Sequence, residues 1–147
     1  DKFTGTFDYD KASPKNWQAE ATIEAASINT SNVKRDEHLR AADFLDVGKC
    51  PAIAFKSNKI TNVKGNKAKL HGDLTLHCVT KPVVFYLELG GTGKDPWGNT
   101  RAGAVATTKI NRKDFGIVWN QTLETGGLIL GEEVEVILEI EGIAKKG

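Results

Sequence analysis

Four segments of this chain alternate apolar and polar residues with a period of two, and that pattern restricts the fold more than any other feature. In WQAEATIEAA, Trp17, Ala19, Ala21, Ile23 and Ala25 alternate with Gln18, Glu20, Thr22 and Glu24. LHGDLTLHC sets Leu70, Leu74 and Leu76 against His71, Asp73 and His77, and KPVVFYLELG puts Val83, Phe85, Leu87 and Leu89 on one side. EEVEVILEIEG places Val134, Val136, Leu138 and Ile140 opposite Glu133, Glu135, Glu139 and Glu141. Successive side chains of a strand point to opposite faces, so each segment predicts a strand with one buried and one wet face. The turn signals NVKGN, GGTGKDPWGN and TGG favour antiparallel neighbours over crossover helices. Strands over 52–60 and 67–78 predict a hairpin with Ile53 and Phe55 roughly opposite Leu76 and Leu74.

One further strand is built from small residues. RAGAVATTKI offers Ala102, Ala104 and Ala106 on one face and Gly103 on the other. Such a strand either leaves room for an elongated guest inside a barrel or lets its neighbours pack closely, and both readings stand.

Composition removes several classes of function. The 147 residues suit one domain spanning 1–147, and 20 Lys and Arg against 19 Asp and Glu give a net charge of +1, with no electrostatic footprint for nucleic acid. The longest apolar run, VVFYL, is far below the roughly 20 residues of a spanning helix. DKFTGTFDYD carries neither a basic nor an apolar leader segment and the chain has no Met, which reads as a processed or trimmed chain.

No reaction centre emerges from the motifs. GGTGKDPWG has Glu88 where a phosphate loop needs its first glycine and Asp95 where it needs Ser or Thr, so it reads as a hairpin loop with Trp97 as an aromatic plug. His71 and His77 share a strand face about 20 Å apart, too far to ligate one metal. There is no G-x-S-x-G elbow, no H-E-x-x-H helix and no Cys in a basic setting. A binding protein without metal or catalytic cofactor is expected. Trp17, Trp97 and Trp119 leave open an alternative, a secreted carbohydrate- or protein-interaction module with exposed aromatic platforms.

Residues 28–55 interrupt the strands with a charged turn of helix. Asn32 is placed to cap it, Arg35, His38, Leu39 and Ala42 share one face, and Asp36 and Arg40 form an i,i+4 pair on another. Cys50 and Cys78 lie near the two ends of the predicted hairpin. Strict alternation puts their sulfurs on opposite faces unless Pro51 distorts the strand, so a disulfide and two free thiols both remain possible.

Taken together, ATIEAASINTSNVKRDEHLRAADFLDVGKCPAIAFKS, GDLTLHCVTKPV, DPWGNTRAG and KINRKDFGI resemble, in order and spacing from about residue 3 to 143, the YceI-like family of bacterial lipid-binding proteins. The resemblance implies an all-β, lipocalin-like antiparallel barrel with one short helix between strands, located in the periplasm or secreted. Its partner would be a long-chain isoprenoid or fatty-acid-like lipid, such as a polyprenyl compound or quinone. The lumen would be lined by Phe7, Ile23, Leu39, Phe44, Ile53, Phe55, Leu74, Leu76, Val83, Phe85, Leu87, Ala104 and Phe115, with Arg35 and His38 at a barrel mouth, and Arg101 as a further candidate, meeting the head group. Two departures from the family stand out. The strand that usually precedes FTGTFDYD does not appear in this sequence, which predicts an exposed edge along residues 2–8 and raises a homodimer. Cys78 replaces the usual glycine of the L-T-L-x-G-V-T run.

Overall fold

Seven strands follow one another along the chain, each hydrogen-bonded antiparallel to the next, in a computed structural model that describes residues 1–10 and 12–145. They are β1 (Phe3–Asp8), β2 (Gln18–Glu24), β3 (Ala52–Lys64), β4 (Lys67–Leu76), β5 (Val79–Lys94), β6 (Thr100–Asn111) and β7 (Glu133–Ile143). One helix, α1 (Val33–Arg40), lies in the β2–β3 connection. The sheet curls into a nearly closed barrel, as expected. Residues 146 and 147 of the expected domain lie outside the described residues.

Register sorts the side chains. Ile23 pairs with Ile53, Phe55 with Leu74, Leu70 with Phe85, Leu87 with Ala106, and Ala106 with Leu138, so the apolar rows of β2 to β7 share one face. That face forms two adjoining buried clusters. Leu70, Phe85 and Ala106 centre one; Leu74, Ile110 and Phe115 centre the other; Phe55, Val83 and Val136 touch both. Ala106 is 3% exposed, so at this point the small-residue strand serves close packing under Leu70 and Phe85. Gly72 allows it too: the Phe55 ring lies where a Cβ on Gly72 would sit.

The predicted strand 67–78 ends two residues early. His77 and Cys78 both have positive φ, 54° and 59°, and form a two-residue turn that starts β5 at Val79. Mirror-image turns of this kind match the twist of the strands they join. The usual Asn-Gly signature is missing from His77-Cys78, which is why the sequence reads through it.

The barrel's seam lies between its first and last strands. Among the described residues β1 pairs only with β2, and all six of its residues are exposed. Phe7 nevertheless bridges the gap, because its ring occupies the space beside Gly142 of β7, within 2.5 Å of where a Cβ would stand. The edge expected along residues 2–8 is therefore partly covered from inside by one aromatic ring.

Candidate ligand-binding site

Most residues expected to line a lumen do share the inner face. Phe7, Ile23, Ile53, Phe55, Leu74, Leu76, Val83, Phe85, Leu87 and Ala104 occupy inward register positions on five walls and at the seam. Phe115, 1% exposed, closes the second cluster from the 3-10 turn after β6. Leu39 and Phe44 are not wall residues; they belong to the structure that covers the upper end.

That cover is tied down at several points. Asn32 caps α1 by accepting from the Arg35 backbone N–H at 3.0 Å. Phe44 packs against Trp119 and the edge of His38, with ring centroids 5.3 and 4.9 Å away. A disulfide joins Cys50 to Cys78, Cα atoms 5.4 Å apart, and so staples the segment after α1 to the β4–β5 turn. The bond is possible because Cys78 sits in the turn and not on the strand whose alternation would have turned its sulfur away. His77 Nδ1 ties the same turn to the Phe115 carbonyl at 2.9 Å.

The three expected head-group residues are engaged elsewhere. Arg35 donates from Nε to the Thr30 hydroxyl and from Nη2 to the Thr30 carbonyl, both at 2.8 Å. His38 faces Asp43 at 3.0 Å. Arg101 lies at the opposite end of the barrel, where it bonds Asp95 at 2.8 Å and Glu141 at 2.6 Å. Arg101, at the start of β6, therefore stands a full wall's height from Arg35 and His38. The expected Asp36–Arg40 pair is also replaced. Asp36, 7% exposed, accepts from the Thr30 backbone and hydroxyl, while Arg40 donates to the carbonyls of Ala26 and Ile28. The Thr30 hydroxyl, above the opposing effect of burial, holds the Asp36 carboxyl below its usual range.

At the lower end Asp95 organises the β5–β6 turn. Its carboxyl is held far below the usual range first by the Asn99 amide, then by Arg101 and by the backbone N–H groups of Asn99 and Trp97. Trp97 itself is 78% exposed, so it is no plug. Trp17, by contrast, is 9% exposed; its Nε1 donates to the Asp10 carbonyl and its ring meets Tyr9.

One functional candidate escaped the sequence reading. Arg112 is 5% exposed, donates to the carbonyls of Gly131, Ile117 and Trp119 at 2.8 to 2.9 Å, and makes no ion pair among the described residues. Its Nη2 is buried with no partner among those residues. The R-x-D-F-G motif was a visible signal, but alternation reads an arginine after a strand as wet.

The YceI-like domain family matches residues 1–142. A UPF0312 protein of Ectopseudomonas mendocina is 43% identical over 141 residues, covering 96% of this chain and 71% of that protein. Protein YceI of Salmonella arizonae is 41% identical over 144 residues, covering 98% and 72%. Among solved structures, the YCEI protein of Campylobacter jejuni superposes with a TM-score of 0.83 at 30% identity, over 99% of this chain and 82% of that one. BcnA of Burkholderia cenocepacia shares the fold with a TM-score of 0.83 at 20% identity.

Proposed function

The chain belongs to the YceI-like domain family, and from that premise we propose that its barrel interior binds a long-chain amphiphilic lipid, an isoprenoid such as a quinone or polyprenyl compound, as a carrier, store or sequestering protein. The observation that carries this reading is the register: six consecutive strands direct apolar rows to one shared face, while Glu133, Glu135, Glu139 and Glu141 stay on the other. Binding needs only such a surface. At about 0.8 kcal/mol per buried methylene, a chain of some 15 carbons gains about 12 kcal/mol before ordering costs, enough to survive purification.

A location in the periplasm or outside the cell belongs to the same proposal. The Cys50–Cys78 disulfide supports it, because such bonds persist in oxidising compartments. A sugar-binding platform is less well supported: Trp17 is buried and Trp119 half-buried, which leaves Trp97 alone. Organic extraction of the native protein followed by mass spectrometry tests the lipid reading. A stoichiometric long-chain lipid is expected. An empty extract, together with failure of the protein to bind a fluorescent isoprenoid, refutes it.

A further inference from the structure

The β5–β6 ladder stops short. Its first pair is Tyr86 with Thr107, so residues 79–85 of β5 and 108–111 of β6 have no pairing with each other. Both lips are nonetheless held from behind: Val83 pairs with Gly72 of β4, and Ile110 with Val134 of β7. This is an opening with fixed edges and not a frayed strand. A cavity of about 870 Å³ lies there. Val83, Thr108 and Ile110, which line it, come from the inner face, Val84, Thr107 and Lys109 from the outer face, and Phe115, 1% exposed, from the 3-10 turn after β6. The cleft thus runs inward from the outer surface between the two strands as far as the buried cluster of Ile110 and Phe115, whose ring stands at its inner end.

The sequence builds the opening. In a two-residue hairpin the residues flanking the turn, Leu76 and Val79, form a hydrogen-bonded pair, and the pairs alternate from there. Pro82, opposite Asp73, therefore aims its backbone away from β4 and towards β6, where it has no N–H to give. Lys81 fits the same picture. It shares the inner face with Leu74, yet it is exposed while Leu74 is buried, because it reaches water through the gap. Just below, Tyr86 and Ile137, each 57% exposed, flank Thr107 on an outer face where β7 also places Glu133, Glu135, Glu139 and Glu141. At the upper end the stapled helix segment reaches across to Trp119 through Phe44, and towards the lower end Trp17 is buried against Tyr9.

We infer that the opening between β5 and β6 is the passage through which an isoprenoid chain enters and leaves the interior sideways. The inference rests on the reading of the interior as a lipid site. Its test places a cysteine on the lip, Lys109→Cys, and couples it to a biotin–maleimide that streptavidin then covers; Val33→Cys, on the exposed start of α1, carries the same block at the upper end. Stopped-flow fluorescence with a dansylated isoprenoid gives both rate constants, and titration gives Kd. Blocking position 109 is expected to slow association and dissociation together by about 10-fold or more, with Kd nearly unchanged, while the block at 33 alters neither rate. Unchanged rates at 109, or slowing only at 33, overturn the passage and leave the lipid site standing. If the unblocked protein does not bind the probe at all, the lipid reading fails, and the passage with it.

Discussion

Replacing Cys50 by Ala and Cys78 by Ser removes the one covalent link between the helix segment and the β4–β5 turn. The two residues are 28 apart in sequence. Closing a loop of that length lowers the entropy of the unfolded chain by an amount worth about 3.6 kcal/mol at room temperature. For a domain of this size that corresponds to a fall in Tm of roughly 7–14 °C. The choice of residue at 78 adds a second, opposite effect. Cys78 has φ of 59°, a conformation that costs most L-residues about 1–2 kcal/mol and glycine little. The Cys50→Ala/Cys78→Gly variant should therefore be more stable than the Ser variant by about 1 kcal/mol, although both lose the bond. Urea unfolding of the three proteins, followed by tryptophan fluorescence without reductant, measures both differences. A loss under about 1 kcal/mol in the Ser variant would mean that noncovalent packing alone fixes the segment in the folded state and that the unfolded chain gains little freedom. Equal stability of the Ser and Gly variants would refute the claim that the turn carries backbone strain.

Gly72→Ala would bring a Cβ within 2.5 Å of both the Lys56 carbonyl oxygen and the Phe55 ring, and should destabilise by about 1–3 kcal/mol in urea unfolding, whereas the same change at the open Gly48 should be nearly silent. Arg112→Met leaves the carbonyls of Gly131, Ile117 and Trp119 without their donor, at about 1–3 kcal/mol each, so a loss of at least about 3 kcal/mol is expected, with early hydrogen exchange in residues 117–131. Arg35→Ala with His38→Ala should change the affinity for phosphate-headed and uncharged isoprenoids alike, since Thr30 and Asp43 already occupy those side chains; selective loss of the phosphate-headed ligand would restore them as head-group residues. Asp95 has a folded pKa below its unfolded value, so its stabilising effect is present above the ordinary carboxylate range and is lost as pH falls through and below it. Asp95→Asn should flatten the acid limb of a Tm-against-pH curve and leave the profile above pH of about 6 parallel to that of the parent.

How far the sequence spoke for itself differs from element to element. Alternation located β2, β4, β5 and β7 and their inner faces because a half-buried strand must repeat every two residues, whatever surrounds it. The Phe55–Leu74 register followed from the same rule. Alternation says nothing about where a strand stops when the turn residues are unorthodox, so it runs on through His77 and Cys78 and does not decide the disulfide. Nor does it say which cations are spare. Arg35, His38 and Arg101 look alike in sequence, and only the positions of Thr30, Asp43, Asp95 and Glu141 show that each is already engaged.

Arg112 marks the limit of such reading most clearly. As the first residue past a strand, between Asn111 and Lys113, it has every local reason to face water. Its burial is decided by what the chain does next. Asn111 accepts from the Lys113 backbone N–H and starts a tight turn, and Gly116, at φ of 76°, ends it by sending the chain back across the end of β6. Ile117 then donates to the Arg112 carbonyl, and Arg112 Nη1 to the Ile117 carbonyl, so that the two residues clasp each other. Residues 117–131 fold over the guanidinium and surround it with carbonyl oxygens. A lysine could not hold three such acceptors from one planar group, which makes arginine the residue this turn requires. The sequence does hold the necessary marks, an Asn before the turn and a Gly after it. What they bury becomes apparent only when the returning loop supplies the acceptors.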